Sequence, residues 1–215
     1  MGFDYDTDPR RWRSLDRSTQ ISGDVHEPVA QRIIAEGQMP VIDVGGGDGE
    51  LVLYLPADWP VTVIDLSMTM LASAPHPKAR ARAELLPTCD HSAGAVTMLW
   101  MLCHLDQPER AVREAWRTLR RGGLFVASAS ARSNDPELTD GYPPTTFDAE
   151  EAETIVRGVF DDVTVERWDD KLVSLPDATA VERYCVHHSL PPIAAARVTP
   201  PVLITKRGCL VFARR

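Results

Sequence analysis

Apolar positions along the chain alternate between two spacings. Short apolar runs, PVIDV, VTVIDL, AVTMLWML, LFVASAS, VTVERW and CLVFARR, are rich in β-branched residues and read as buried strands. Between them lie segments in which apolar residues recur every three or four places, the period of a helix with one buried face. HEPVAQRIIAEG has Pro28 near its start and Gly37 at its end, and ELVLYL is closed by Pro56. SMTMLASA opens on Ser67, a residue suited to helix capping. The clearest helix is PERAVREAWRTLRRGG: Pro108 stands in its first turn, and Ala111, Ala115, Trp116 and Leu119 share one face. Its five arginines occupy the other, solvated face, and Gly122 and Gly123 are expected to stop it. A weak third strand falls near Ala79–Ala83, and the first 40 residues read as interrupted helices. Asp148 and Glu151 have capping-box spacing ahead of a helix through Val156, and Asp177–His188 reads as the last helix.

Strands alternating with helices predict a parallel sheet covered on both faces. The 215 residues suit one domain. With 31 acidic against 23 basic side chains the net charge is −8, which gives no general attraction to nucleic acid or anionic lipid. No run approaches the roughly 20 apolar residues of a membrane span, and the polar start resembles no signal peptide. The four cysteines are widely spaced, unlike a disulfide framework or zinc site, so a reducing cytoplasm is expected and no metal site. Arg132–Asp170 holds twelve acidic residues against three arginines and is read as a solvated cap or surface.

Val41-Ile42-Asp43-Val44-Gly45-Gly46-Gly47-Asp48-Gly49 carries the chemistry. Glycines after a buried strand allow a sharp bend and a close backbone approach to a ligand. The next strand ends in Asp65, a carboxylate able to accept both hydroxyls of a ribose. A dinucleotide fingerprint needs a sixth-place glycine counted from Gly45, but Glu50 stands there and would face a pyrophosphate. A nicotinamide cofactor is therefore disfavoured. Glycines at 45, 47 and 49, with Asp43 two places before them, give G-x-G-x-G.

That pattern resembles the class I S-adenosylmethionine-dependent methyltransferases, nearest to the small members of the type 11 kind that act on small molecules. IDLSMTML, ELLP and HLDQPERAVREAWRTLRRGG match further stations of the family, from about Val41 to Ser130. The resemblance implies a Rossmann-like, doubly wound α/β fold with a seven-stranded, mostly parallel sheet whose last strand is antiparallel. It implies S-adenosyl-L-methionine as cofactor. Asp43 and the backbone at Gly45 and Gly47 would hold the methionyl part, Asp65 the ribose, and Leu66 the adenine face. Glu84 and Leu85 fall at the adenine edge, and Leu99 and Trp100 leave strand four near the sulfonium. Two departures stand out: Arg82 where the family often has an Asp, and Ala93-Gly94 where it often has Phe-Asp.

Methyl transfer is an in-line displacement, and a base is needed only if the acceptor must shed a proton. His104 follows strand four and is the candidate base, or else packs beneath the next helix. His187 and His188 fall where acceptor contacts are expected, and His26 is expected at the surface. Trp12, Trp100, Tyr142 and Phe147 would border an apolar acceptor site. The expected organisation is an N-terminal helical cap over 1–40 and a methyltransferase domain over 41–215, with cap insertions near 131–147 and 171–201. A short cap favours a small-molecule acceptor of secondary metabolism, in a cytoplasmic monomer or homodimer without nucleic-acid or membrane partners. Two alternatives stay open: a non-methylative use of the cofactor such as cyclisation, and a non-catalytic nucleotide-binding module.

Overall fold

The structure, a computed structural model, describes residues 6, 25–75 and 77–215. Helix α1 (His26–Ala35) leads into β1 (Val41–Val44), a 3-10 turn (Glu50–Tyr54), β2 (Val61–Asp65), α2 (Met68–Leu71) and β3 (Lys78–Arg80). The chain then forms β4 (Ala93–Met98), a 3-10 turn (Leu102–His104), α3 (Pro108–Thr118) and β5 (Leu119–Ser130). It ends with α4 (Ala152–Arg157), β6 (Asp162–Leu175), α5 (Ala178–His187), a 3-10 turn (Pro192–Arg197) and β7 (Val202–Arg214).

The strands form one seven-stranded sheet in the order β3-β2-β1-β4-β5-β7-β6. β1 to β5 run parallel, and β7 runs antiparallel between β5 and β6, as expected from the sequence. β1 and β4 are buried at every position, so both faces are covered. On one face Ile42, Val96 and Met98 pack with Ala111 and Ala115 of α3; on the other Val41 and Ala95 pack with Val29 and Ile33 of α1. The chain winds outward from β1 to β3 and returns to β4, so a crevice opens past the ends of β1 and β4, the usual ligand position in such sheets.

Several expectations are corrected. α3 ends at Thr118, four residues before Gly122, because Leu119 already pairs with Ala93 of β4. The register shift between Ala93 and Ala95 absorbs the extra residues, so Gly122 and Gly123 lie inside β5. Trp116 leaves the buried face of α3 and is 40% exposed, with the Arg215 guanidinium 3.7 Å above its ring. Arg117 is not on a freely solvated face: it bonds Glu114, Asp90 and the Leu86 and Thr88 carbonyls, pinning the loop before β4 to α3. β6 and β7 extend well past VTVERW and CLVFARR as a long antiparallel ribbon, so the segment from 171 begins as strand.

The acidic region is only partly solvated, since Asp135 and Asp148 are buried. Asp148 accepts the Glu151 N–H at 3.3 Å, but Glu151 turns to Arg132 and does not complete a reciprocal box. His26 is buried and close enough to Asp43 to stabilise its charge. Of the expected N-terminal cap, α1 is described and packs on the sheet, whereas Trp12 and the helical reading of residues 14–20 lie outside the described residues. Among the described residues no helix is long and apolar enough to cross a membrane.

Candidate cofactor and acceptor site

The turn after β1 approaches the chain leaving β4 so closely that a side chain would not fit. Gly45 has φ +70°, and a Cβ there would lie 2.6 Å from Met101 Cβ. Across the turn the Gly47 N–H donates to Asp65 Oδ2 at 3.0 Å, while the Ser67 N–H donates to Oδ1 at 2.8 Å. Ser67 Oγ caps α2 by accepting the Met70 N–H and itself donates to Asp6 at 2.5 Å. These bonds hold the Asp65 carboxylate at the rim of a cavity of about 470 Å³.

Gly45, Gly47, Asp65, Leu66, Glu84 and Leu99 all line that cavity, six of the expected cofactor residues in one place. Asp43 and Leu85 stand apart from its wall. Asp43 is buried beneath the turn, where Thr97 Oγ1 donates to it at 2.7 Å; burial raises its pKa against that bond. Leu85 points outward and is 75% exposed. Arg82 pairs with Glu84 at 3.0 Å and both reach the cavity, so the cation at the usual acidic position is tied to a neighbouring carboxylate. The Ala93-Gly94 departure is a packing feature: a Cβ at Gly94 would lie 2.5 Å from the Met39 backbone N. Glu50 is buried at the start of its 3-10 turn.

A second cavity of about 370 Å³ adjoins the first, and Trp100 and His104 line both. Trp100 has φ +57°, and its N–H donates to Ser128 Oγ at 2.9 Å, which fixes the bend out of β4. Its ring meets Trp168 edge-on at 6.1 Å. Burial pulls the His104 pKa below the usual imidazole value, with the Asp65 charge working the other way. Tyr142 and Phe147 come from the loop after β5 and His187 and His188 from the end of α5, so both expected cap segments reach this cavity.

The sequence reading missed Ser128, Cys103 and Arg132 in the same wall. The hydroxyls of ASAS in β5 were the available signal for Ser128, since a polar residue in a buried strand needs a partner. Burial pushes the Cys103 thiol up to about 11, which keeps it protonated. Arg132 grips Asp148 through two bonds of 2.7 and 3.1 Å. Beneath the loop, Asp135 accepts bonds from Tyr142 at 2.5 Å, Tyr184 at 2.8 Å and Lys206 at 2.8 Å. These partners are scattered over some 70 residues, and no local pattern announces them. Among the described residues no group of three or more His, Cys, Asp or Glu side chains is placed to hold a metal ion.

Residues 42–127 match the family described as a methyltransferase domain. That match, together with the methyltransferase relatives below, supports a class I S-adenosylmethionine-dependent methyltransferase, a family whose cofactor is S-adenosylmethionine. It is 32% identical over 124 residues to the ubiquinone/menaquinone biosynthesis C-methyltransferase UbiE of Methylobacterium nodulans, covering 50% of this chain and 48% of that protein. It is 29% identical over 127 residues to the demethylmenaquinone methyltransferase of Desulfitobacterium hafniense, covering 52% and 50%. The chain thus spans about half the length of the curated relatives it matches. Its fold resembles the [4+2]-cyclase SpnF, with a TM-score of 0.65 and 18% identity over 98% of this chain and 94% of that one. It also resembles an S-adenosylmethionine-dependent methyltransferase of Archaeoglobus fulgidus, with a TM-score of 0.60 and 15% identity over 95% and 99%.

The described residues fit this cofactor. A backbone cradle free of Cβ atoms and a fixed carboxylate at a nucleoside-sized cavity are what an adenosyl group with a free ribose requires.

Proposed function

We propose that the protein transfers a methyl group from S-adenosylmethionine to a small molecule held in the second cavity. The observation that carries this reading is the wall shared by the two cavities, built from Trp100 and His104. Asp65 would bind the ribose, Leu66 and Glu84 the adenine, and the backbone at Gly45 and Gly47 the methionyl end. When bound, S-adenosylmethionine supplies an activated methyl group. The chain's part is alignment and proton removal. Trp100 sets the boundary between donor and acceptor, and neutral His104 takes the proton that the acceptor sheds. Phe147 and Tyr142 provide apolar walls for the acceptor.

The names of the curated relatives favour methylation at carbon. Secondary metabolism, a cytoplasmic location and a monomer or homodimer belong to the same reading; the four free thiols accord with a reducing compartment. The segments 131–147 and 171–201 would cap the acceptor, since they contribute Tyr142, Phe147, His187 and His188. The test is to incubate the protein with S-adenosylmethionine and a panel of phenols, quinols and amines while measuring release of S-adenosylhomocysteine. Acceptor-dependent release supports the reading. Tight cofactor binding with no release across the panel, together with rearranged acceptors, would point to the cyclising alternative.

A further inference from the structure

His188 follows α5 at the side of the acceptor cavity, with its ring tilted 36° against Tyr184 at 4.2 Å and edge-on to His187 at 5.0 Å. Several polar side chains of the same wall are already engaged. Arg132 holds Asp148, the Tyr142 hydroxyl donates to Asp135, and Asn134 takes the Arg207 N–H and donates to Asp135. Thr145 Oγ1 accepts the Phe147 N–H. The His188 ring nitrogens make no hydrogen bond to a described residue, so this imidazole faces the cavity with its bonding capacity unspent.

The support behind it is rigid. Tyr184, which carries the ring, is locked through its hydroxyl to Asp135 at 2.8 Å and to Lys206 at 2.7 Å. Burial and the Lys206 ammonium push the His188 pKa down to about 3, against the pull of Asp135. A neutral imidazole offers one donor and one acceptor, and a hydroxyl can satisfy either.

On the reading that this cavity holds the acceptor, we propose that His188 is its specificity-determining contact and selects an uncharged, flat acceptor bearing a hydroxyl. The hydroxyl bonds to His188, and the apolar ring lies along Phe147. The reacting position is left for the Trp100–His104 side. A charged headgroup finds no free counter-ion in Arg132, which is taken by Asp148.

The test is calorimetric, with protein saturated by S-adenosylhomocysteine and two probes of one shape, 2,7-dihydroxynaphthalene and 2,7-dimethylnaphthalene. His188→Leu should weaken the diol by about tenfold and leave the dimethyl compound within about twofold, the effect of one lost hydrogen bond. His188→Gln, which keeps a donor and an acceptor, should restore most of the diol affinity. Equal losses for both probes would reduce His188 to packing and overturn the proposal, as would an unchanged diol affinity. If His188→Leu fails to fold, the His188 imidazole ¹⁵N signals of wild type decide: they should move with the diol and stay still with the dimethyl compound. Wild type that binds S-adenosylhomocysteine but neither naphthalene overturns this acceptor class alone. Failure to bind S-adenosylhomocysteine overturns the reading beneath it as well.

Discussion

The Gly47 N–H reaches the Asp65 carboxylate across 3.0 Å, tying the turn after β1 to the tip of β2. With Ser67 on its other oxygen, the carboxylate is oriented before any ligand arrives. Binding then costs little side-chain ordering, which favours affinity. The same bond makes the glycine turn and Asp65 one unit, so damage to either should be felt by both.

Gly45→Ala tests the turn. The new methyl group would enter the Met101 side chain from a backbone conformation that alanine disfavours. The expected cost is about 2 kcal/mol of stability, with an accompanying loss of S-adenosylhomocysteine affinity of about tenfold or more. Thermal melts and titration would measure both, and wild-type values in each would show that the turn has room.

Buried Asp135 and half-buried Lys206 should behave as a structural unit. Burial acts to raise the Asp135 pKa, but the Lys206 charge and the bonds from Lys206 and Tyr142 outweigh it and hold the carboxyl below its usual range. Lys206→Met alone strands the Asp135 charge and should cost about 3–5 kcal/mol in urea unfolding. The double variant Asp135→Asn with Lys206→Met should recover much of that loss. If the single variant matches wild type, the pair carries no structural weight.

The topology and the cofactor cradle were legible in the sequence because both depend on local signals. The β-branched runs fixed β1, β2 and β4, and the glycine spacing located the turn beside Asp65. Element ends were less legible, since Leu119 leaves the helix to pair with Ala93, a contact that no helical period encodes. Trp116 shows the same limit: its stripe position predicts burial, yet Arg215 from the far end of the chain covers an exposed ring. Asp43 followed the family spacing but lies beneath the turn with Thr97, a partner 54 residues away. The wall of the second cavity was half legible. Tyr142, Phe147, His187 and His188 line it together, whereas the network around Asp135 joins residues that only the folded ribbon brings together.

His104 gives a pH prediction. Burial lowers its pKa, so the neutral form able to accept a proton persists below the usual imidazole range. With any acceptor that turns over, kcat should stay level as pH falls to about 6.5 and decline only below it. His104→Ala should cut kcat by about 10²–10⁴ and abolish that acid limb while leaving S-adenosylhomocysteine affinity intact. An unaltered kcat would return His104 to a packing role.

The most direct measurement is a calorimetric titration of S-adenosylhomocysteine into wild type and Asp65→Ala, with NAD as the control ligand. Wild type should bind S-adenosylhomocysteine and not NAD. Asp65→Ala should lose about 2–3 kcal/mol of that affinity, the worth of hydrogen bonds to a fixed charged group. Binding of NAD in place of S-adenosylhomocysteine, or equal S-adenosylhomocysteine affinity in the two proteins, would contradict the assignment of this site.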